Sequence, residues 1–197
     1  MSSNKEKIIF EDNFDSGLKQ GWEWLRQNKE CWRIQDSGLE IRVVPGDENT
    51  VKNALIRSAP NRNNGTFAIE VSVSNYNRPV QPYEQAGITW YNNARPIAKL
   101  VKEYIYPPNV PHKTGNNIFI FPGDVSIQQQ KVRLRFIVSR DLWKAQYHFE
   151  KRAEFKTAAS GKLPTPKNDS VSIQCYNGPA NAEHWVRFEN FQIKQIS

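Results

Sequence analysis

The stretch that decides the fold is Tyr83–Tyr91 (YEQAGITWY), followed after a short turn by Ile97–Tyr104 (IAKLVKEY). In the first segment, apolar residues alternate with Gln85, Thr89 and Tyr91, which is the period of two that a half-buried β-strand requires. The second segment alternates in the same way. Two neighbouring strands with polar side chains on a shared face predict a sheet surface suited to a hydroxyl-rich ligand.

The composition is that of a folded domain built from many short strands. The chain has 197 residues, 38% of them hydrophobic, and its 10 Phe, 7 Tyr and 6 Trp supply large buried areas. Its 12 prolines and scattered Asn-Gly, Pro-Gly and Ser-Gly pairs favour turns over long helices. We predict a flexible N-terminus over residues 1–7 and one all-β domain over residues 8–197.

About a dozen short segments with alternating apolar residues run along the chain. Val132–Val138 and Trp143–Phe149 are separated by a tight turn at Arg140 and are expected to form a hairpin. Lys156–Lys167, which contains a glycine and two prolines, is expected to be a surface loop. The number and spacing of the segments predict a two-sheet antiparallel sandwich.

The charge and the cysteines exclude few classes of function. The formal net charge of +7 allows an acidic partner, but Lys and Arg are interleaved with Asp and Glu, so we favour a mixed surface over a nucleic-acid groove. Cys31 and Cys175 lack metal-site spacing and are expected to be buried free thiols. No apolar run follows Met1 as in a secretory signal, and no segment is apolar enough to span a bilayer, so we expect a cytoplasmic protein without membrane contact. The pattern does not specify an oligomeric state.

An ordered set of motifs resembles a known family. The set comprises FEDNF at Phe10–Phe14, WEW at Trp22–Trp24, GLEI at Gly38–Ile41, EQAGI at Glu84–Ile88, KLVKE at Lys99–Glu103 and VRFENF at Val186–Phe191. It is similar to the concanavalin A-like family called domain of unknown function 1349, and a similar series occurs in the C-terminal β-sandwich of family 43 glycosidases such as β-xylosidases. The resemblance implies a jelly-roll of two antiparallel sheets, one convex and one concave, with the concave sheet available for sugar.

The resemblance does not extend to a known set of catalytic residues. Related jelly-roll glucanases carry the pattern ExDxxE on one strand, because retaining hydrolysis needs an acid and a nucleophile ~5 Å apart. Here the segment 67–73 carries only Glu70, and the segment 99–104 carries only Glu103. Binding without turnover is therefore favoured over hydrolysis.

The expected ligand-binding residues alternate with core-facing residues on their strands, so they should point outward and form one polar surface, the floor of the groove. They are Gln85, Thr89, Tyr91, Lys99, Glu103, Arg135 and His148. Lys99 and Glu103 share one face and are suited to sugar hydroxyls, although an ordinary ion pair on a solvated sheet would show the same pattern. Arg135 and His148 are expected to extend this floor. Trp24 and Trp143 are expected at the rim of the groove, where an indole can stack on a sugar ring.

The favoured function is a non-catalytic, lectin-like domain that binds an oligosaccharide or glycoconjugate on the concave sheet. Two alternatives stay open: an unconventional glycoside hydrolase or lyase that uses Glu103, with His148 as the second candidate catalytic group, and an intracellular interaction module with a vestigial groove. No cofactor is required by the pattern. The resemblance implies one structural calcium site, with Asp12 (or Glu11 beside it) and Asn190 at matching places, because this cation prefers oxygen ligands.

Overall fold

Two antiparallel β-sheets pack face to face in the computed structural model, which describes residues 5–105, 117–149 and 154–197. The eight-stranded sheet contains β1 (Glu6–Asp12), β3 (Trp32–Gln35), β4 (Gly38–Arg42), β6 (Thr66–Asn75), β11 (Lys131–Val138), β12 (Leu142–His148), β13 (Lys156–Lys162) and β15 (Trp185–Ile196). The seven-stranded sheet contains β2 (Glu23–Leu25), β5 (Ala54–Ser58), β7 (Gln85–Asn92), β8 (Arg95–Tyr104), β9 (Ile118–Phe121), β10 (Val125–Ser126) and β14 (Ser170–Tyr176). Two 3-10 helices, Lys29–Cys31 and Arg62–Asn64, lie in the connections. The predicted all-β jelly-roll sandwich is confirmed.

The strands pair mostly with partners that are distant in sequence. The order is β13-β12-β11-β6-β15-β4-β3 in one sheet and β10-β9-β8-β7-β14-β5-β2 in the other. The long strand β15 pairs with β4 through Trp185–Phe188 and with β1 through Phe191–Ile196. Beside this ladder, Lys5 and Ser197 exchange two backbone hydrogen bonds of 3.1 Å. Within the described ranges, no helix combines the length and the apolar character that crossing a membrane requires.

The core lies between the two sheets and consists of the inward-facing residues of both. The largest fully buried side chains include Phe14, Leu39, Ile41, Leu55, Ile69, Ile88, Trp90, Leu100, Phe136, Phe188 and Phe191. Each such side chain contributes roughly 1.5–3 kcal/mol by leaving water. Cys31 and Cys175 are free and buried, as predicted, and burial raises the pKa of the Cys175 thiol, which keeps it protonated and unreactive.

Local predictions were right for one hairpin and wrong for the segment after it. β11 and β12 form the expected hairpin, with Val138 opposite Trp143. The segment expected to be a loop instead begins with β13, an edge strand that pairs with β12. Its alanines, serine and glycine have low strand propensity, so the pattern was weak, and a Cβ on Gly161 would lie 2.7 Å from the Trp143 ring. At the other end of the chain, Glu6 and Lys7 belong to β1 although a flexible N-terminus was expected over them.

Candidate functional site

The strand pair singled out by the sequence forms the centre of the outer face of the seven-stranded sheet. β7 and β8 are antiparallel, and Thr89 lies opposite Lys99. Ile88 and Trp90 point into the core, so the residues of opposite parity face away from it. Gly87 does not leave room for a ligand, because a Cβ there would lie 2.8 Å from the Cα of Val101 on β8. The predicted polar face therefore exists, and its glycine serves the close approach of two strands.

Lys99 is held in place by two buried residues of this face. Its Nζ donates a hydrogen bond of 2.8 Å to Gln85 Oε1 and lies 3.4 Å from Glu103 Oε2. Gln85 Nε2 donates to Glu103 Oε1 at 2.9 Å. Burial raises the pKa of Glu103, and the neighbouring Lys99 partly offsets this effect. Gln85 and Glu103 are both buried, whereas 27% of the Lys99 side chain is exposed, so these two residues position an ammonium group that solvent can reach.

The loop between β4 and β5, residues 43–53, covers part of this face, and we call it the roof loop. Val51 of the roof loop packs against Ala54 and Tyr176 of the sheet. Its carbonyl oxygen accepts a hydrogen bond of 2.6 Å from Arg26 Nε. The polar face is therefore buried over much of its area, where an open trough was expected.

The tip of the roof loop is closed by an aspartate. Asp47 Oδ1 accepts hydrogen bonds from the N–H groups of Asn49, at 2.8 Å, and Thr50, at 2.9 Å. These bonds lower the pKa of the Asp47 carboxyl. The turn that they stabilise leaves Glu48 exposed at the tip, between two clefts.

The first cleft, the Thr89 cleft, has a volume of about 400 Å³. It is lined by Glu48, Thr89, Pro96, Ile97, Ala98, Lys99, Phe121, Pro122, Trp143 and Tyr176. Thr89 is 2% exposed, and its Oγ1 has no hydrogen-bond partner among the described residues. Lys99 Nζ lies 4.6 Å from the centre of the Phe121 ring. The cleft thus combines an unpaired hydroxyl, an ammonium group, a carboxylate and aromatic rings.

The second cleft, the Tyr91 cleft, has a volume of about 510 Å³. It is lined by Leu25, Arg26, Glu48, Asn49, Ile56, Tyr91, Asn93, Ala94, Pro96, Asn168 and Ser170. Tyr91 Oη and Ser172 Oγ both donate to Gln174 Oε1 at 2.8 Å. The amide nitrogen of Gln174 is buried and, within the part of the chain that is described, has no partner. Burial raises the pKa of Tyr91, so its hydroxyl stays a neutral donor.

Arg135 and His148 lie elsewhere, and the prediction that they extend the same polar floor is wrong. They belong to β11 and β12 of the eight-stranded sheet. Arg135 Nη1 lies 3.5 Å from Glu70 Oε1, and its guanidinium lies over the ring of Phe155. The His148 ring contacts the same ring edge to face, with 4.5 Å between centroids. Both residues do face outward, as their parity predicted, but on the opposite side of the molecule.

The outer face of the eight-stranded sheet carries a network of ion pairs. Glu70 is paired with Arg133 and Lys194, each at 3.0 Å. Glu40 is paired with Arg187, also at 3.0 Å. These basic side chains have internal carboxylate partners, which agrees with a mixed surface more than with a groove for nucleic acid.

Asp12 and Asn190 do not fit the calcium site that was expected. Asp12 Oδ1 accepts a hydrogen bond from the N–H of Phe14, and Oδ2 accepts from the N–H of Lys19 and from Trp22 Nε1, all at 2.9 Å. Asn190 is exposed. A cation needs the carboxylate lone pairs that these three donors occupy. Among the residues described, no group of three or more His, Cys, Asp or Glu side chains could hold a metal ion.

Several residues that line the clefts were not predicted, among them Glu48, Phe121 and Tyr176 of the Thr89 cleft. Glu48 lies in a stretch with proline and glycine that indicates a turn, but the turn signal does not say which surface the loop covers. Tyr176 shares the outward parity of Ser172 and Gln174 on β14, and this parity was the signal that could have found it. Trp143, expected at a groove rim, lines the Thr89 cleft, whereas Trp24 packs against Trp32 at 4.6 Å.

Comparison with known proteins defines the fold of this chain. No protein-family profile matches the sequence, and neither does any curated protein. Among solved structures, the match to the GH43 BlXynB protein from Bacillus licheniformis covers 93% of this chain and 38% of that protein, with a TM-score of 0.72 and 16% sequence identity. The match to a xylan β-1,4-xylosidase from Bacillus halodurans covers 96% of this chain and 40% of that protein, with a TM-score of 0.69 and 13% identity. The match to the CBM2 module of the evolved Dit from Lactobacillus casei BL23 phage J-1 covers 99% of this chain and 98% of that module, with a TM-score of 0.61 and 8% identity.

At these identities the similarity establishes the fold, a β-sandwich like the one found in GH43 proteins. The chain spans about two fifths of the length of these two GH43 and xylosidase structures, and nearly all of the phage module. The resemblance to domain of unknown function 1349 stays a prediction.

Proposed function

We propose that this chain is a non-catalytic domain that binds carbohydrate in the Thr89 cleft. The observation that carries the proposal is the Thr89 hydroxyl, which is buried in the cleft lining without a partner among the described residues. Leaving a buried hydroxyl unpaired costs about 1–3 kcal/mol. Because Thr89 Oγ1 is itself buried, its side chain would have to turn toward a ligand hydroxyl group to offset this cost.

The other side chains of the Thr89 cleft suit the same class of ligand. Lys99 offers N–H donors and Glu48 offers acceptor oxygens, while Phe121, Trp143 and Tyr176 offer apolar surface. Sugars present hydroxyl groups at the edge of the ring and C–H groups on its faces, so they need both kinds of contact. The names of the xylosidase and of the CBM2 module, which share this fold, also refer to carbohydrate. A cytoplasmic location is part of the same proposal.

An unconventional glycoside hydrolase or lyase is the second candidate, because burial raises the pKa of Glu103 in the direction that suits a general acid. Glu103 is bonded to Gln85 and Lys99, and Glu48 is the carboxylate that lines the cleft. His148 cannot assist from the opposite sheet. Cleavage of aryl glycosides by the wild type, lost in both Glu103→Gln and Glu48→Gln, would favour this candidate over pure binding.

A glycan array that contains neutral and acidic oligosaccharides, followed by calorimetric titration of the glycans that bind, tests the proposal. We expect Lys99→Met to weaken the binding of such a glycan roughly tenfold, the loss of about one charge-assisted hydrogen bond. Lys144→Met, at an exposed position of β12, is the matched control and should bind as the wild type does. Absence of any glycan signal, or equal loss in both variants, would contradict the proposal. Salt-sensitive binding to heparin or RNA alone would favour an interaction module instead.

A further inference from the structure

The geometry points to one extended site: we infer that the Thr89 and Tyr91 clefts together bind a single oligosaccharide chain that passes Glu48. This inference rests on the proposed function and specifies its ligand. It makes Glu48, at the tip of the roof loop, the residue that both ends of the ligand share.

The two clefts are neighbours along one strand and share part of their lining. Thr89 and Tyr91 are two residues apart on β7 and point to the same face, which separates them by about 7 Å. Ser172 and Ser170 of β14 lie opposite them in the same order. Glu48 and Pro96 line both clefts. A ligand that lies along β7 therefore meets Thr89 and Lys99 at one end and Tyr91 at the other.

One unpaired polar group lines the path: among the described residues, Thr89 Oγ1 lacks a partner in the first cleft. Gln174, whose buried amide nitrogen is also unpaired in the described protein, lies opposite Gly87 and lines neither cleft. A chain of sugar units offers hydroxyl oxygens at regular intervals along its length. Each cleft also has a volume in the range of pockets that hold small ligands.

The charged residues that line the path are Lys99 in the Thr89 cleft, Arg26 in the Tyr91 cleft, and one carboxylate, Glu48, which both clefts share. An acidic sugar unit beside Glu48 would face a like charge, whereas one beside Lys99 or Arg26 would face an opposite charge. The lining charges therefore do not select between neutral and acidic chains, and the test includes both.

A length series tests the inference. The probes are xylo-, cello- and manno-oligosaccharides from disaccharide to hexasaccharide, with oligogalacturonates of the same lengths as the acidic comparison. We expect the affinity for the chains that bind to rise about tenfold from the disaccharide to the hexasaccharide and then to level off. Ser170→Trp fills the Tyr91 cleft and should reduce the affinity for the hexasaccharide to that for the disaccharide. Asn49→Trp, at an exposed position of the roof loop, should also fill the Tyr91 cleft and lower the affinity for the hexasaccharide, and it leaves the strands unchanged.

The outcomes separate this inference from the proposed function. Equal affinity for disaccharides and hexasaccharides, or a length effect that survives both tryptophan variants, would overturn the extended site and leave carbohydrate binding standing. Absence of binding by every probe and on the glycan array would overturn both proposals together.

Discussion

Lys99 Nζ donates a hydrogen bond of 2.8 Å to Oε1 of Gln85, whose own amide nitrogen donates to Glu103. The acceptor that directs the ammonium group is thus a neutral amide, and the carboxylate lies slightly farther away, at 3.4 Å. Lys99 keeps its charge directed into the Thr89 cleft because both partners are buried below it. The chemistry of the cleft therefore depends on residues that do not line it.

Gln85→Met tests this dependence. Removing the amide frees Lys99 from its main acceptor, so we expect glycan affinity to fall about fivefold and the free energy of unfolding to fall by about 1–3 kcal/mol, since Glu103 loses a donor. Calorimetric titration and urea unfolding measure the two effects. Gln146→Met on β12 of the other sheet is the control. Unchanged affinity in Gln85→Met would show that Lys99 needs no positioning.

Thr89→Val separates binding from stability. The substitution removes a hydroxyl that has no partner in the described structure and keeps a β-branched shape, so we expect the free energy of unfolding to stay equal or to rise by about 1 kcal/mol. Binding should fall at the same time. Thr157→Val, at an exposed position of β13, should change neither quantity. Loss of stability without loss of binding would mean that Thr89 serves the fold.

Lys102 should make stability depend on pH. It is 2% exposed, and burial lowers its pKa from 10.5 to about 8. Between these pH values the unfolded chain binds more protons than the folded chain, so the contribution of Lys102 to the free energy of unfolding rises with pH, by about 3 kcal/mol in total. Urea unfolding of the wild type and Lys102→Met at several pH values isolates this term as their difference. A difference that stays constant from pH 8 to 10.5 would contradict the assignment, and Lys144→Met should show no such trend.

Arg62 should be among the residues on which stability depends most. Its buried guanidinium donates to Asp169 Oδ2 at 2.6 Å and to the Pro164 carbonyl at 2.9 Å, and so ties the 3-10 helix Arg62–Asn64 to the loop before β14. Arg62→Met leaves the buried Asp169 without its counter-ion, and we expect a loss of about 3–5 kcal/mol in the free energy of unfolding. The double variant Arg62→Met/Asp169→Asn should lose less than the single one. A loss below about 1 kcal/mol in the single variant would show that Asn92 alone satisfies Asp169.

The sequence predicted the direction of side chains far better than their neighbours in space. Period-two alternation placed Trp90 in the core and Thr89 outside it, because parity is a local property of each strand. The same alternation correctly predicted that Arg135 points away from the core. It could not say that β11 pairs with β6 and not with β8, since that choice depends on contacts between segments distant in sequence.

The clefts themselves were beyond what the pattern could predict. Asp47 marks a turn in the sequence, but the position of the roof loop over Tyr176 results from the packing of Val51. Gln85 and Glu103 were correctly grouped with Lys99, yet their burial below it could not be read from the alternation of each strand alone. A feature made by one segment folding over another leaves only a turn signal in the sequence.

The hydrogen bonds between Lys5 and Ser197 have a mechanical consequence. Because β1 and β15 are antiparallel and Glu6 pairs with Ile196, a force that pulls Lys5 and Ser197 apart would act only on the nearest hydrogen-bonded residue pair of the two strands. The residue pairs would then separate one after another, at a lower force than would be needed to shear all of them at once. β1 would detach first, while the seven-stranded sheet with both clefts is still intact.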